Sequence, residues 1–372
     1  MTAINIRRTV DINGAVRLIR TVGETVTVIL FSEPGVGKTS TLRLTAIENG
    51  DKWRKVGDYY PDDKYEYCYI DAPNKRDGDL FINMPERATQ SIEQYTTGVV
   101  NMNDPRPKVI LVDEAFKSMR SMRPLFTRLY LERCLGDKPL PKGSIVYGSS
   151  NNPDDGVGDS FAGHEADRIW FINMRKTDAE TWANGWAAEN GISGITRACV
   201  AMNPRVMASY TDGVTTADNP IIFHPKTNPT RYASPRSIAS VDVAVRNRAV
   251  LGEELTWAAV EGGTNAAYAQ LLMSFIALEK ELVDPRKPLE DPMGTPLPTN
   301  PSALVLLMYN MSDLIATQDD MSNGITYIKR CESREMQGLF ASVLMDNKRT
   351  AKLGASNPKV QEWVSKNYRI MR

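Results

Sequence analysis

The sequence predicts an α/β core built on a parallel five-stranded sheet, followed by an α-helical lid and a helical C-terminal extension. Three observations predict it. Short apolar runs bounded by turn residues read as buried strands. Polar, helix-permissive stretches separate them, which implies right-handed crossovers and helices on both faces. After Asn173 the strand pattern fades and helical patterns take over.

The strands are expected at Thr25–Phe31 (TVTVILF), Tyr65–Ile70 (YEYCYI), Val109–Val112 (VILV), Ser144–Tyr147 (SIVY) and Ile169–Asn173 (IWFIN). A helix is expected over Thr177–Asn190, with Thr177 as N-cap, Glu180 closing a capping box and Gly191 as the stop. Asn219–Pro235 is rich in proline and reads as an extended connector. Ser237–Leu251 and Ala266–Leu282 read as helices. The proline-rich stretch Asp284–Pro301 reads as a linker, and a last helical block begins at Ser302. The expected division is a core over 1–212, a lid over 213–283, and a linker with its helical extension over 284–372.

Composition narrows the function classes. The chain has 372 residues, with 42% hydrophobic and 24% charged side chains, as in a globular protein able to bury a sizeable core. Lys+Arg and Asp+Glu are 45 each, so the net charge is zero and a generally basic nucleic-acid binder is disfavoured. No apolar run reaches the roughly 18 residues of a membrane span, and Met1–Val10 does not read as a secretory signal. Cys68, Cys134, Cys199 and Cys331 lie far apart and read as reduced thiols of a cytoplasmic protein. With only His164 and His224, neither a zinc site nor a histidine-based nucleophile is expected.

The strongest local signal is Ser32-Glu33-Pro34-Gly35-Val36-Gly37-Lys38-Thr39, between an apolar strand and a helix-permissive run. That is the context of a phosphate loop. Glycines let backbone N–H groups turn around a β-phosphate, and the helix N-terminus adds its dipole. Lys38 is expected on the β/γ-phosphates and Thr39 on Mg²⁺. Glu33, Pro34, Gly35, Val36, Gly37 and Ser40 complete the expected ATP site. Ser32 stands where the usual pattern opens with glycine. A second signal, Val109–Glu114, is an apolar strand ending in two acids. Asp113 is expected to hold Mg²⁺ through water, and Glu114 to orient or deprotonate the attacking water.

With these motifs the chain resembles an AAA+ ATPase, that is, a P-loop NTPase core. SEPGVGKT and VILVDE are similar to its Walker A and Walker B motifs. SIVYGSSNNP (Ser144–Pro153) resembles its sensor-1 strand, which implies a water- or γ-phosphate-holding role for Asn152, with Asn151 as the rival. AGHEADRIWF (Ala162–Phe171) is similar to a "DRF" segment, which implies that Arg168 is an arginine finger acting on a neighbouring subunit. Ser234-Pro235-Arg236 resembles sensor 2, with Arg236 on the γ-phosphate. Arg128 and Arg133 are weaker candidates for action in trans. "SPR", "NNP" and the Trp182/Trp186 region are most like the MoxR clade, although Phe116 in DEAF departs from its common DEIN.

The resemblance implies a Mg²⁺-dependent ATP hydrolase, a homo-oligomer of hexamer type, and a chaperone-like remodelling role. The implied partner is a protein substrate or adaptor, such as a von Willebrand factor A-domain protein, in a bacterial or phage-infected cell. Two alternatives stand beside it: a DNA-associated motor or helicase loader, and a nucleotide-gated scaffold that barely hydrolyses. Lys117, Arg120 and Arg123 form a basic run that reads first as a solvated helix face and second as a contact for nucleic acid or an acidic partner. Asn74–Asp79 reads as a polar loop and a weaker pore-loop candidate. Trp182, Trp186, Ile195, Met119, Met122 and Met202 read as core or interface residues.

Overall fold

All five apolar runs join one parallel sheet, and a sixth strand extends it. The computed structural model describes residues 8–53, 62–76, 78–88, 90–152, 167–215, 217–227 and 230–367. The part of the chain nearer its beginning contains β1 (Thr9–Val10), α1 (Ile12–Val22), β2 (Thr27–Ser32), α2 (Ser40–Glu48), β3 (Glu66–Asp71), β4 (Phe81–Glu86), β5 (Ser91–Thr96), β6 (Lys108–Asp113), α3 (Arg123–Glu132), β7 (Cys134–Leu135), β8 (Lys138–Pro139), β9 (Ile145–Asn151) and β10 (Ile169–Met174). The six-stranded sheet has the order β1-β10-β2-β9-β6-β3. The sheet is therefore one strand wider than the sequence suggests, because β1, only two residues long, pairs along β10. Such a short edge strand leaves no periodicity to read.

β2 and β6 are buried along their whole length, which is why they read as unbroken apolar runs. Alternate side chains supply two faces. Val28, Leu30, Val109, Leu111 and Tyr147 pack with Ala15, Ile19 and Leu42 of α1 and α2. Ile29, Phe31, Ile110, Val112 and Val146 pack with Phe126 and Leu129 of α3. Phe116, the departure from the DEIN pattern, is buried and stacks on Phe31 with ring centroids 5.4 Å apart. It anchors the turn that follows the two acids. β4 and β5 form a separate antiparallel hairpin that the sequence reading did not foresee.

A buried charge network closes the far ends of the strands. Lys108 is fully buried, and its ammonium lies 2.5 Å from Glu66 Oε2. It also donates to the Asp104 carbonyl at 2.8 Å, while Arg106 Nη2 donates to Asp104 Oδ2 at 2.6 Å.

The chain divides into two compact units, Met1–Lys176 and Thr177–Arg372. The division falls at residue 176 rather than 212. The reason is packing: Trp182, Ile195, Cys199 and Val206 share one apolar cluster with Ile238, Leu272 and Val305. The same cluster joins the expected lid to the expected extension. In this second unit Asp178, not Thr177, is the N-cap, accepting from the Thr181 amide. Gly191 (φ 70°) ends that stretch as expected. The helix Pro235–Arg246 is capped by Ser234, whose hydroxyl accepts from the Ser237 amide. The helix Pro301–Leu314 packs on Gly194–Met202, with the buried Arg197 ion-paired to Asp313. Among the described residues, no helix is long and apolar enough to cross a membrane. The four cysteines are free thiols.

Candidate active site

In a parallel sheet the C-terminal strand ends share one edge, and a sequence-distant set of polar residues meets there. Ser32 ends β2, Asp113 ends β6 and Asn151 ends β9. β9 lies between the other two, with Ser32 registered opposite Asn151. The strand order therefore brings a third polar group between the phosphate loop and the acidic pair.

The loop wraps around Lys38. Gly35 (φ 79°) and Gly37 (φ 109°) occupy the left-handed region, which side chains with a Cβ disfavour. Lys38 is 7% exposed. Its ammonium donates to Ser32 O (3.1 Å), Ser32 Oγ (3.0 Å), Glu33 O (3.2 Å) and Asn151 Oδ1 (2.9 Å). Ser32, the residue in place of the usual glycine, thus contributes both its carbonyl and its hydroxyl to the lysine. Glu33 is itself buried, with Lys176 Nζ 3.2 Å from Oε2. Pro34 and Val36 complete the turn. Ser40 opens α2, whose Thr41 hydroxyl donates to Lys38 O at 2.5 Å. Burial pushes the neighbouring Tyr147 hydroxyl above its ordinary range; Thr41 opposes the shift and Asp113 adds to it.

Thr39 Oγ1 donates to Asp113 Oδ2 at 2.8 Å. Tyr69 OH donates to the same oxygen at 3.0 Å, and Ser149 Oγ to the other oxygen of the carboxylate. Asp113 is 8% exposed. Glu114 follows with left-handed backbone (φ 53°, ψ 42°), and its carboxylate pairs with Lys117 at 2.9 Å.

The donor set suits Mg²⁺. A threonine hydroxyl and one carboxylate are hard oxygen ligands, and this ion is commonly held by one or two carboxylates plus substrate phosphates and water. Among the described residues no group of three or more His, Cys, Asp or Glu side chains is placed to hold a metal without such help.

The remaining expected residues fall elsewhere. Asn152 follows Asn151 directly and is partly buried; the amide bonded to Lys38 is that of Asn151. Arg168 is exposed, just before β10 begins. Ile169 registers with Thr27, at the start of β2. Arg168 is therefore at the opposite edge of the sheet from its own phosphate loop, roughly 20 Å away at about 3.3 Å per residue. Arg236 is exposed in the first turn of its helix in the second unit.

Arg128 is a surface residue paired with Glu132 and Asp137. Arg133 is partly buried. It donates to Thr27 Oγ1 and the Gly23 carbonyl, and burial lowers it to about 10. These contacts tie it to the start of β2 and to the end of α1. The matched segment before Asp167 lies outside the described residues, as do Pro153, His164 and Asp77.

Sequence reading missed Ser149, Tyr69 and Lys176. Ser149 was findable, since it lies two positions before Asn151 and shares its strand face. Tyr69 arrives from β3 and Lys176 from the segment after β10, and neither leaves a local signal.

No family model matches the sequence, and no curated protein matches it. Among solved structures, the chain is similar to a candidate ATPase from Cytophaga hutchinsonii, at 17% identity over 44% of this chain and 46% of that one, with a TM-score of 0.29. It is similar to the Holliday junction branch migration motor RuvB from Thermotoga maritima, at 12% identity over 76% and 75%, with a TM-score of 0.33. It is also similar to NtrX from Brucella abortus, at 12% identity over 73% and 69%, with a TM-score of 0.31. The chain thus spans less than half the length of the first of these proteins. None of these likenesses is close enough to assign an activity, and the chemistry rests on the residues described above.

Proposed function

We propose that this chain is a Mg²⁺-dependent ATP hydrolase of the AAA+ class, most like its MoxR-type members. It works as a homo-oligomeric ring whose turnover remodels a partner protein. The observation that carries the reading is the 2.8 Å hydrogen bond from Thr39 to Asp113, which joins the phosphate loop to the acidic strand end within reach of Lys38.

Each residue has a part. Loop N–H groups and Lys38 bind the β/γ-phosphates. Thr39 would hold Mg²⁺ directly and Asp113 through water. When bound, the ion neutralises charge on the phosphate oxygens. Glu114 takes the proton of the attacking water at its carboxylate. Asn152, or Asn151 through its contact with Lys38, fixes that water. Arg168 supplies positive charge to the site of a neighbouring subunit, because its own site is out of reach. Arg236 reads the γ-phosphate from the lid, residues 213–283. The resemblance adds a von Willebrand factor A-domain protein as the partner to try first.

The test is steady-state ATPase rate against protein concentration, with and without single- and double-stranded DNA, and with Glu114→Gln as control. The expected result is a rate that rises cooperatively with concentration, ignores DNA and vanishes in the variant. Several-fold stimulation by DNA, lost at high salt, supports a nucleic-acid motor instead. A wild-type rate equal to that of Glu114→Gln supports a nucleotide-gated scaffold.

A further inference from the structure

Glu33 sits inside the phosphate loop with 3% of its side chain exposed. A carboxylate there has lost its water, and it shares a short loop with an expected polyanionic ligand. The arrangement around it offsets both penalties. Lys176, two residues past the end of β10, has 2% of its side chain exposed and brings its ammonium to 3.2 Å from Glu33 Oε2. Sheet order explains how it arrives: β10 is the neighbour of β2, with Asn173 registered opposite Phe31. Glu33 thus touches two lysines by different groups. Its carbonyl accepts from Lys38 at 3.2 Å, while its carboxylate faces Lys176.

We propose that Lys176 is a positioning residue of the nucleotide site. Its buried ammonium cancels the Glu33 carboxylate, so that the charge of Lys38 is left for phosphate. It also fixes the first turn of the loop against the end of β10. The proposal rests on the reading of this loop as a nucleotide site.

The test is a double-mutant cycle on the full chain, read by calorimetric titration with ADP, which keeps turnover out of the measurement. Lys176→Met is expected to weaken ADP binding about tenfold or more, and Lys176→Arg to stay within about threefold of wild type. Glu33→Gln leaves the Lys176 ammonium uncompensated beside the loop and is expected to tighten ADP binding about threefold or more. The double variant Glu33→Gln/Lys176→Met is expected to return to within about threefold. A double variant as weak as Lys176→Met overturns the proposal, as does unchanged binding by Lys176→Met. If Lys176→Met does not fold, Glu33→Gln decides: tighter binding supports the proposal, and equal or weaker binding overturns it. Failure of the underlying reading is distinct, because wild-type chain would then bind no ADP and Lys38→Ala would change nothing.

Discussion

Lys38 Nζ donates to Asn151 Oδ1 at 2.9 Å, across 113 positions of sequence. The candidate phosphate-binding ammonium and a candidate water-holding amide therefore share one hydrogen bond. A shift of the ammonium along its loop moves or frees the amide. Asn151, the rival of Asn152 in the sequence reading, is the one bonded to the loop lysine.

Asn151→Ala is expected to lower kcat about 100-fold, the lower end of the range for losing one preorganised polar contact to a reacting group. Asn152→Ala is expected to cost less. Steady-state ATPase assays on the two variants check the order, and the reverse order assigns the role to Asn152.

The position of Arg168 at the far edge of the sheet predicts complementation. Arg168→Ala alone and Glu114→Gln alone should each be nearly inactive. Mixed in equal amounts, they should form interfaces with an intact arginine on one side and an intact glutamate on the other. The mixture is expected to exceed the sum of the two by at least tenfold, since a trans arginine contributes about 10³–10⁵ in rate. A mixture no faster than that sum argues against action in trans.

Asp104 makes stability depend on acid. The Arg106 guanidinium bonded to it holds its carboxyl down at about 2, against an ordinary value of 3.8, with Lys108 adding to the effect. The folded state therefore binds its proton later than the unfolded chain does. That contribution is complete above the ordinary value and is lost as pH falls toward 2. Asp104→Asn should be less stable than wild type at pH 7, with the gap narrowing between about pH 4 and pH 2. Urea unfolding at several pH values checks it.

The buried pair in the second unit is asymmetric. Arg197 is fully buried, whereas the Asp313 side chain is 43% exposed. Asp313→Ala strands a buried guanidinium and should cost about 3–5 kcal/mol. Arg197→Met leaves a carboxylate that water can reach and should cost less. Chemical denaturation of both variants checks the order.

The sheet was legible because its central strands are buried on both faces and so appear as apolar runs. The loop was legible because glycines with positive φ, a lysine and a threonine must be adjacent in sequence to do their work. The hairpin of β4 and β5 escaped notice because Phe81–Thr96 mixes exposed Ile82, Met84, Ile92 and Tyr95 with polar residues. Tyr69 and Lys176 escaped because their partners are 44 positions away in one case and in the loop after β2 in the other. The boundary after Lys176 was invisible for a related reason. Helix Gly194–Met202 belongs with Pro301–Leu314 through contacts that no local pattern announces.

Glu114 has a side chain where the backbone favours glycine or asparagine, with φ 53°. The residue that the proposed chemistry calls for is not the residue that the local geometry prefers. In a library randomised at position 114, selection for yield or heat resistance would enrich glycine and asparagine, while selection for turnover would keep glutamate. Protein engineers who improve this scaffold by stability alone would therefore drift, at this one codon, toward a well-folded and silent molecule.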